Sequence, residues 1–193
     1  MKYLTKISLL AVFLFTLIVN AQDDNDYVNE PGYADFGALI SFYKGDDVTE
    51  VFLDEHILKM MSKLSGENDP EMKKLLTGLK LVRVYSFEVP KESRLKLKNK
   101  IGEIDKKLLK EKWYRIIKIK EKNGYTNVYL KSSADENNVV GLAVVSLDSN
   151  GEASFINIVG NINLDNLGKL SDKFNIPMIF NKHHKKKVIR EKK

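Results

Sequence analysis

The sequence predicts an α+β fold, a mostly antiparallel sheet of about six strands with helices packed on one face. Two patterns carry this. Between Trp113 and Val159, four strand-like runs follow one another, and two of their three junctions are Asn-Gly: Asn123-Gly124 and Asn150-Gly151. Asn-Gly between strand-like runs marks a hairpin, because both turn residues adopt positive φ readily. Upstream, apolar residues recur at helical spacing, punctuated by Asp, Pro and Gly at the positions where helices start and stop.

Taken in order, Phe36, Leu39, Ile40 and Tyr43 mark a short helix. Val48–Leu53 reads as a strand running into a helix capped by Asp54, with Ile57, Leu58, Met61 and Leu64 as its buried stripe. A second helix has Asp69 as cap and Pro70 at its first position, buries Met72, Leu75, Leu76 and Leu79, and stops at Gly78. "KLVRVYSFEV" is a strand by its β-branched and aromatic content, and Pro90 ends it. Residues 91–112 form a longer helix with a narrow stripe of Leu97, Ile101, Ile104 and Leu108 and otherwise lysine-rich faces. The four-stranded meander follows. Its third strand, Val139–Leu147, is apolar almost throughout and is expected at the centre of the sheet. Last comes "FINIVGNINLDNLGKL" at 155–170: a strand, a bend at Gly160, and a helix capped by Asn163.

The ends differ in character. Lys2 and Lys6 precede the uncharged apolar run Ile7–Val19, with Val19 and Ala21 at the positions a signal peptidase reads. Residues 1–21 are therefore expected to be a cleaved secretory signal, too short for a comfortable membrane span. The expected division is signal 1–21, flexible leader 22–32, one domain 33–180 and a basic, disordered tail 181–193. The formal charge of +6 falls to +4 once Lys2 and Lys6 leave with the signal; the tail alone carries +6, which leaves the domain and its leader at −2. The basic character thus belongs to the tail, where weak contact with an anionic membrane surface is expected. With 28 lysines to 4 arginines, bidentate base recognition is poorly supplied, and no nucleic-acid partner is expected.

Cysteine is absent, which excludes disulfides, thiol nucleophiles, cysteine-based zinc sites and lipid attachment through a thiol. His56 stands alone on its helix, His183 and His184 lie in the tail, and no metal-binding spacing occurs. "GNINLDNLGK" lacks the glycine pattern of a phosphate loop, and "DSNGEA" lacks the central glycine and terminal glutamate of a calcium loop. No G-x-S-x-G elbow is present. No cofactor, metal site or catalytic residue is assigned. The aromatic residues Trp113, Tyr125 and Tyr129, on neighbouring strands, form the candidate binding surface, with core packing as the alternative.

Three segments, "PGYADFG" at 31–37, "MKKLLTGLKLVRVYSFEV" at 72–89 and "FINIVGNINLDNLGKL" at 155–170, together resemble the secreted Bacteroidetes-type proteins of domain-of-unknown-function family 4252. The resemblance implies an envelope protein and supplies no activity, ligand or site residue to carry over. Some members carry a lipid-attachment cysteine; lacking it, this chain is expected to be soluble in the periplasm or outside the cell. The expected function is a non-catalytic binding or protein-interaction domain with an envelope protein as partner. The alternatives are a hydrolase-like enzyme whose site assembles only in the fold, and a peripheral membrane-surface protein using the basic helix and tail.

Overall fold

The computed structural model describes residues 26–43, 47–65, 69–121 and 124–162. The element order is α1 (Gly37–Ile40), β1 (Val48–Asp54), α2 (Glu55–Ser65), α3 (Pro70–Gly78), β2 (Leu79–Glu88), α4 (Lys91–Lys110), β3 (Tyr114–Lys120), β4 (Tyr125–Ser132), β5 (Val139–Leu147) and β6 (Glu152–Ile162). All six strands join one antiparallel sheet in the order β1-β2-β6-β5-β4-β3. The meander β3-β4-β5-β6 is as the sequence predicts, and β6 returns to pair with β2, so the hairpin-like unit β1–β2 closes onto the end of the meander.

Helix starts follow the capping chemistry. The Ile57 amide donates to Asp54 Oδ1 at 2.7 Å, and the Met72 amide to Asp69 Oδ1 at 3.0 Å. Each bond satisfies one of the amides that a helix start leaves without an internal partner.

The expectation that helices cover one face is corrected. The α4 stripe Leu97, Ile101, Ile104 and Leu108 packs with Phe36, Leu39, Phe87, Tyr129, Val145 and Phe155 on one face. Leu58 of α2 and Met72, Leu75 and Leu76 of α3 pack with Val82, Val84, Val128, Leu142, Val144, Ile156 and Ile158 on the other. The cause is legible in β5 and β6. Alternate residues point to opposite faces, and here both sets are apolar, so both faces must be covered. Burying a leucine such as Leu75 contributes about 2 kcal/mol.

The leader also differs from expectation. Within residues 26–32 three side chains or backbones are tied to the domain: Tyr27 meets the Phe52 ring edge-on with centroids 6.4 Å apart, Glu30 pairs with Lys80 at 2.7 Å, and Gly32 is buried. The reason lies in buried Asn157 on β6, whose Oδ1 accepts from the Ala34 amide at 3.0 Å while its Nδ2 donates to the Gly32 and Leu142 carbonyls at 3.0 and 3.1 Å. This clamp needs Gly32 and Gly141 to touch backbone to backbone. A Cβ on Gly32 would lie 1.9 Å from the Val140 carbonyl oxygen, so no other residue fits.

The Asn150-Gly151 hairpin forms, but not as a two-residue turn. Only Gly151 has positive φ, and Asp148 Oδ1 accepts from the amides of Asn150, Gly151 and Glu152 at 2.8–2.9 Å. The aspartate thus satisfies a wider loop, an outcome the Asn-Gly pair alone does not foresee. At the other end Gly160 has a φ of 128° and the register shifts beside it against both neighbouring strands, but the strand continues past this irregularity to Ile162. The helix expected from Leu164, the cap Asn163, the basic tail, the signal segment and Asn123 of the first hairpin lie outside the described residues.

Candidate functional site

The most concentrated polar chemistry lies where α4 crosses β3 and β4. Asp105 projects from the side of α4 next to its buried stripe, and Arg115 stands opposite Tyr129 in the β3–β4 register. Arg115 Nη1 donates to both Asp105 oxygens at 2.5 and 2.6 Å, and the Tyr129 hydroxyl donates to Asp105 Oδ1 at 2.8 Å. Asn127, fully buried, directs its amide nitrogen at the hydroxyl oxygens of Tyr125 (2.6 Å) and Tyr129 (2.5 Å) and, at 3.3 Å, at Asp105. Tyr125, Asn127 and Tyr129 reach the same face because side chains two apart on a strand share a side.

The electrostatics follow. Burial pushes the Tyr129 hydroxyl well above its ordinary pKa, and its donation to the Asp105 carboxylate pushes it further the same way. Tyr125 is raised by burial first and by the Asp105 charge second. The Arg115 guanidinium is held charged by its hydrogen bond to Asp105. Both tyrosines therefore stay protonated across the physiological range.

Above this network runs an open groove of about 440 Å³ between α4 and β3. Lys98 and Lys106 enter from α4, Lys118 and Lys120 from β3, and Tyr125 and Gly102 form part of its lining. Lys118 and Lys120 pair in register with Asn127 and Tyr125, so they lie on the face that α4 covers.

A second cluster locks the N-terminal segment down. Arg83 donates to the Tyr33 hydroxyl at 3.2 Å and to the Tyr85 hydroxyl at 2.9 Å, and Tyr85 donates to Glu50 at 2.7 Å. Beside it Asp35 pairs with Lys107 at 3.2 Å. The Asp35 carboxyl is held below the usual range, mainly by the Gly37 amide and also by Lys107.

The three aromatic residues expected as a binding surface do not form one. Tyr129 and Trp113 are buried. Trp113 precedes β3 and presses on Gly141, where a Cβ would lie 2.7 Å from its ring. Only Tyr125 keeps access to solvent, at the groove. The structure brings Tyr125 and Tyr129 together through Asn127 and leaves Trp113 among the core residues. Burial of the large ring outweighs any gain from exposing it. His56 is exposed on α2. Among the described residues no three or more His, Asp or Glu groups converge to hold a metal ion, and no helix is long and apolar enough to cross a membrane.

Sequence reasoning passed over Asp105, Arg115, Asn127 and the lysines of β3. The alternation Tyr-x-Asn-x-Tyr at 125–129 was the available signal: a polar residue between two aromatics on one strand face is buried with them and must find partners.

Residues 42–170 match the family described as a domain of unknown function, DUF4252. The chain belongs to that family. No curated protein and no solved structure matches it. The DUF4252 match includes β1 through β6, hence both faces of the sheet and the whole lysine groove. It begins after "PGYADFG", the segment that Asn157 clamps, so this DUF4252 domain carries an N-terminal strap outside the matched residues.

Proposed function

We propose that the protein is an exported envelope protein whose DUF4252 domain binds another protein rather than catalysing a reaction. Export rests on the charge and hydropathy pattern of residues 1–21. The binding role rests on the β3 edge. Among the described residues β3 ends the sheet, with a strand partner on one side only. Its side chains Tyr114, Ile116 and Ile119 are 54, 48 and 47% exposed, a density of apolar surface unusual for a strand edge open to solvent. An extended segment can add to such an edge through backbone hydrogen bonds while alternate side chains give specificity. Lys118 and Lys120 oppose self-pairing, because two copies would bring like charges together, and they favour a partner strand bearing acidic residues.

The test is co-purification of the tagged protein from its native envelope fraction, beside the double variant Ile116→Glu, Ile119→Glu. A stoichiometric partner captured by the native chain and lost from a variant with unchanged circular dichroism supports the reading. Equal capture by both chains, or none by the native chain, overturns it.

A further inference from the structure

The lysines of this domain fall into two groups. Lys59, Lys80, Lys100 and Lys107 each pair with a carboxylate at 2.6–3.2 Å. Lys98, Lys106, Lys118 and Lys120 converge on one groove and make no ion pair or hydrogen bond among the described residues. Of the carboxylates beside the groove, Glu103 is paired with Lys100 at 2.7 Å and Asp105 with Arg115. Four unpaired ammonium groups drawn together from two elements repel one another. What holds them in place is the Asp105–Arg115 bridge, which ties α4 to β3 directly beneath. Convergent like charge without a counter-charge is an arrangement that a ligand of opposite sign relieves.

A second observation concerns the wall of the groove. The Tyr125 hydroxyl accepts from Asn127, so its oxygen is occupied as an acceptor while its proton has no acceptor among the described residues. At Gly102, a Cβ would meet nothing within 4 Å, so the α4 backbone is open to approach at mid-groove. With four lysines against Glu103, the groove carries a formal +3. Its 440 Å³ exceeds the size of a single small anion. Lysines act as point charges, without the planar fork by which arginine selects carboxylates, so the pattern suits a compact, highly charged ligand.

We propose that the α4–β3 groove binds a ligand bearing two or more adjacent phosphate groups, with Lys98, Lys106, Lys118 and Lys120 as counter-charges and the Tyr125 hydroxyl as hydrogen-bond donor. This site shares Lys118 and Lys120 with the β3 edge proposed above to bind a protein, and it is tested without that partner. The phosphate groups belong either to a soluble ligand or to a lipid headgroup.

The experiment titrates the full chain with inorganic tripolyphosphate, followed by calorimetry and by amide chemical shifts, and runs co-sedimentation with phosphatidylglycerol vesicles in parallel. The native chain is expected to bind one tripolyphosphate, with shifts centred on residues 98–106 and 118–125 and an affinity that weakens as salt rises. Lys118→Gln, Lys120→Gln is expected to weaken binding about tenfold or more while its melting temperature holds or rises, because repulsion is removed. Tyr125→Phe is expected to weaken binding severalfold with the fold intact. The tail variant Lys185→Gln, Lys186→Gln, Lys187→Gln is expected to bind as the native chain does. Groove-dependent vesicle binding that tripolyphosphate displaces assigns a lipid headgroup; tripolyphosphate binding without vesicle binding assigns a soluble ligand. Absence of saturable binding, or binding lost in the tail variant and kept in the groove variant, overturns the proposal.

Discussion

On the α4 face of the sheet the core is aromatic and threaded with polar side chains; on the α2–α3 face it is aliphatic apart from two small hydroxyls, Ser62 and Ser154. Phe36, Phe87, Trp113, Tyr129 and Phe155 all belong to the first cluster, and the second is made of Leu, Ile, Val and Met. Buried Arg83, Asn127 and Asn157 share the aromatic face: Arg83 and Asn157 bond Tyr33 and Gly32 of the N-terminal segment, and Asn127 bonds Asp105 of α4. The two faces solve different problems. Aliphatic packing stabilises by area and tolerates small shifts, whereas buried hydrogen bonds fix one arrangement and penalise every other. The face that positions a strap, a long helix and a lysine groove is the one with the directional bonds.

The sharpest way to break this contrast is Asn157→Leu, similar in size but unable to hydrogen-bond. It strands the Ala34 amide and the Gly32 and Leu142 carbonyls in a buried site, at a cost of about 4 kcal/mol in urea unfolding. Native-state hydrogen exchange should then show the Ala34 amide unprotected. Leu75→Ala, on the aliphatic face, should cost about 3 kcal/mol yet leave the Ala34 amide protected. If the two variants give the same exchange pattern, the contrast between the faces is not real.

Next in size is Asp105→Asn, which leaves Arg115 half-buried without its partner and should cost about 2 kcal/mol. Adding Arg115→Met should restore part of that loss, since two apolar or neutral groups are better tolerated than one orphaned charge. A double-mutant cycle in urea measures it. Alkali gives a smaller, graded effect. Tyr125 and Tyr129 have folded pKa values above the ordinary 10.0, so the neutral form is favoured by folding. Their contribution is complete below pH 10 and is lost as pH rises through the folded values. Unfolding free energy should fall above pH 10, and the fall should be shallower in Tyr125→Phe. The smallest change concerns Lys112, which follows α4 with φ of 62°. Lys112→Gly should raise stability by about 1 kcal/mol, measured as a higher urea midpoint, because a side chain in the left-handed region is strained.

Much of the fold was legible because each signal was local. Asp54 and Asp69 cap their helices, the α4 stripe is the four residues its spacing picks out, and the meander runs strand by strand. What escaped was long-range. The sequence does not say that β6 turns back to β2, so the second apolar face of β5 and β6 had no assigned cover. Nor can spacing show that Asn157 reaches Gly32, which makes the leader part of the domain. The groove was half visible: the lysines of α4 stood out, but only the register of Lys118 and Lys120 with Asn127 and Tyr125 puts them on the same side of the sheet as α4. For Trp113 and Tyr129 the core-packing alternative holds, and spacing could not choose it for a related reason, since exposure is a property of what packs on a strand and not of the strand itself.

The strand order has a consequence in time. A ribosome delivers β1 and β2 first, yet β2's second neighbour is β6, and the strap at Gly32 waits for a side chain 125 residues downstream. Nothing ahead of β6 can complete either face, so the early half of the chain must remain unfinished until the last described strand arrives. Closing so long a loop is slow. That delay leaves the inner side chains of β2 and β5 without their shared neighbour until β6 is made.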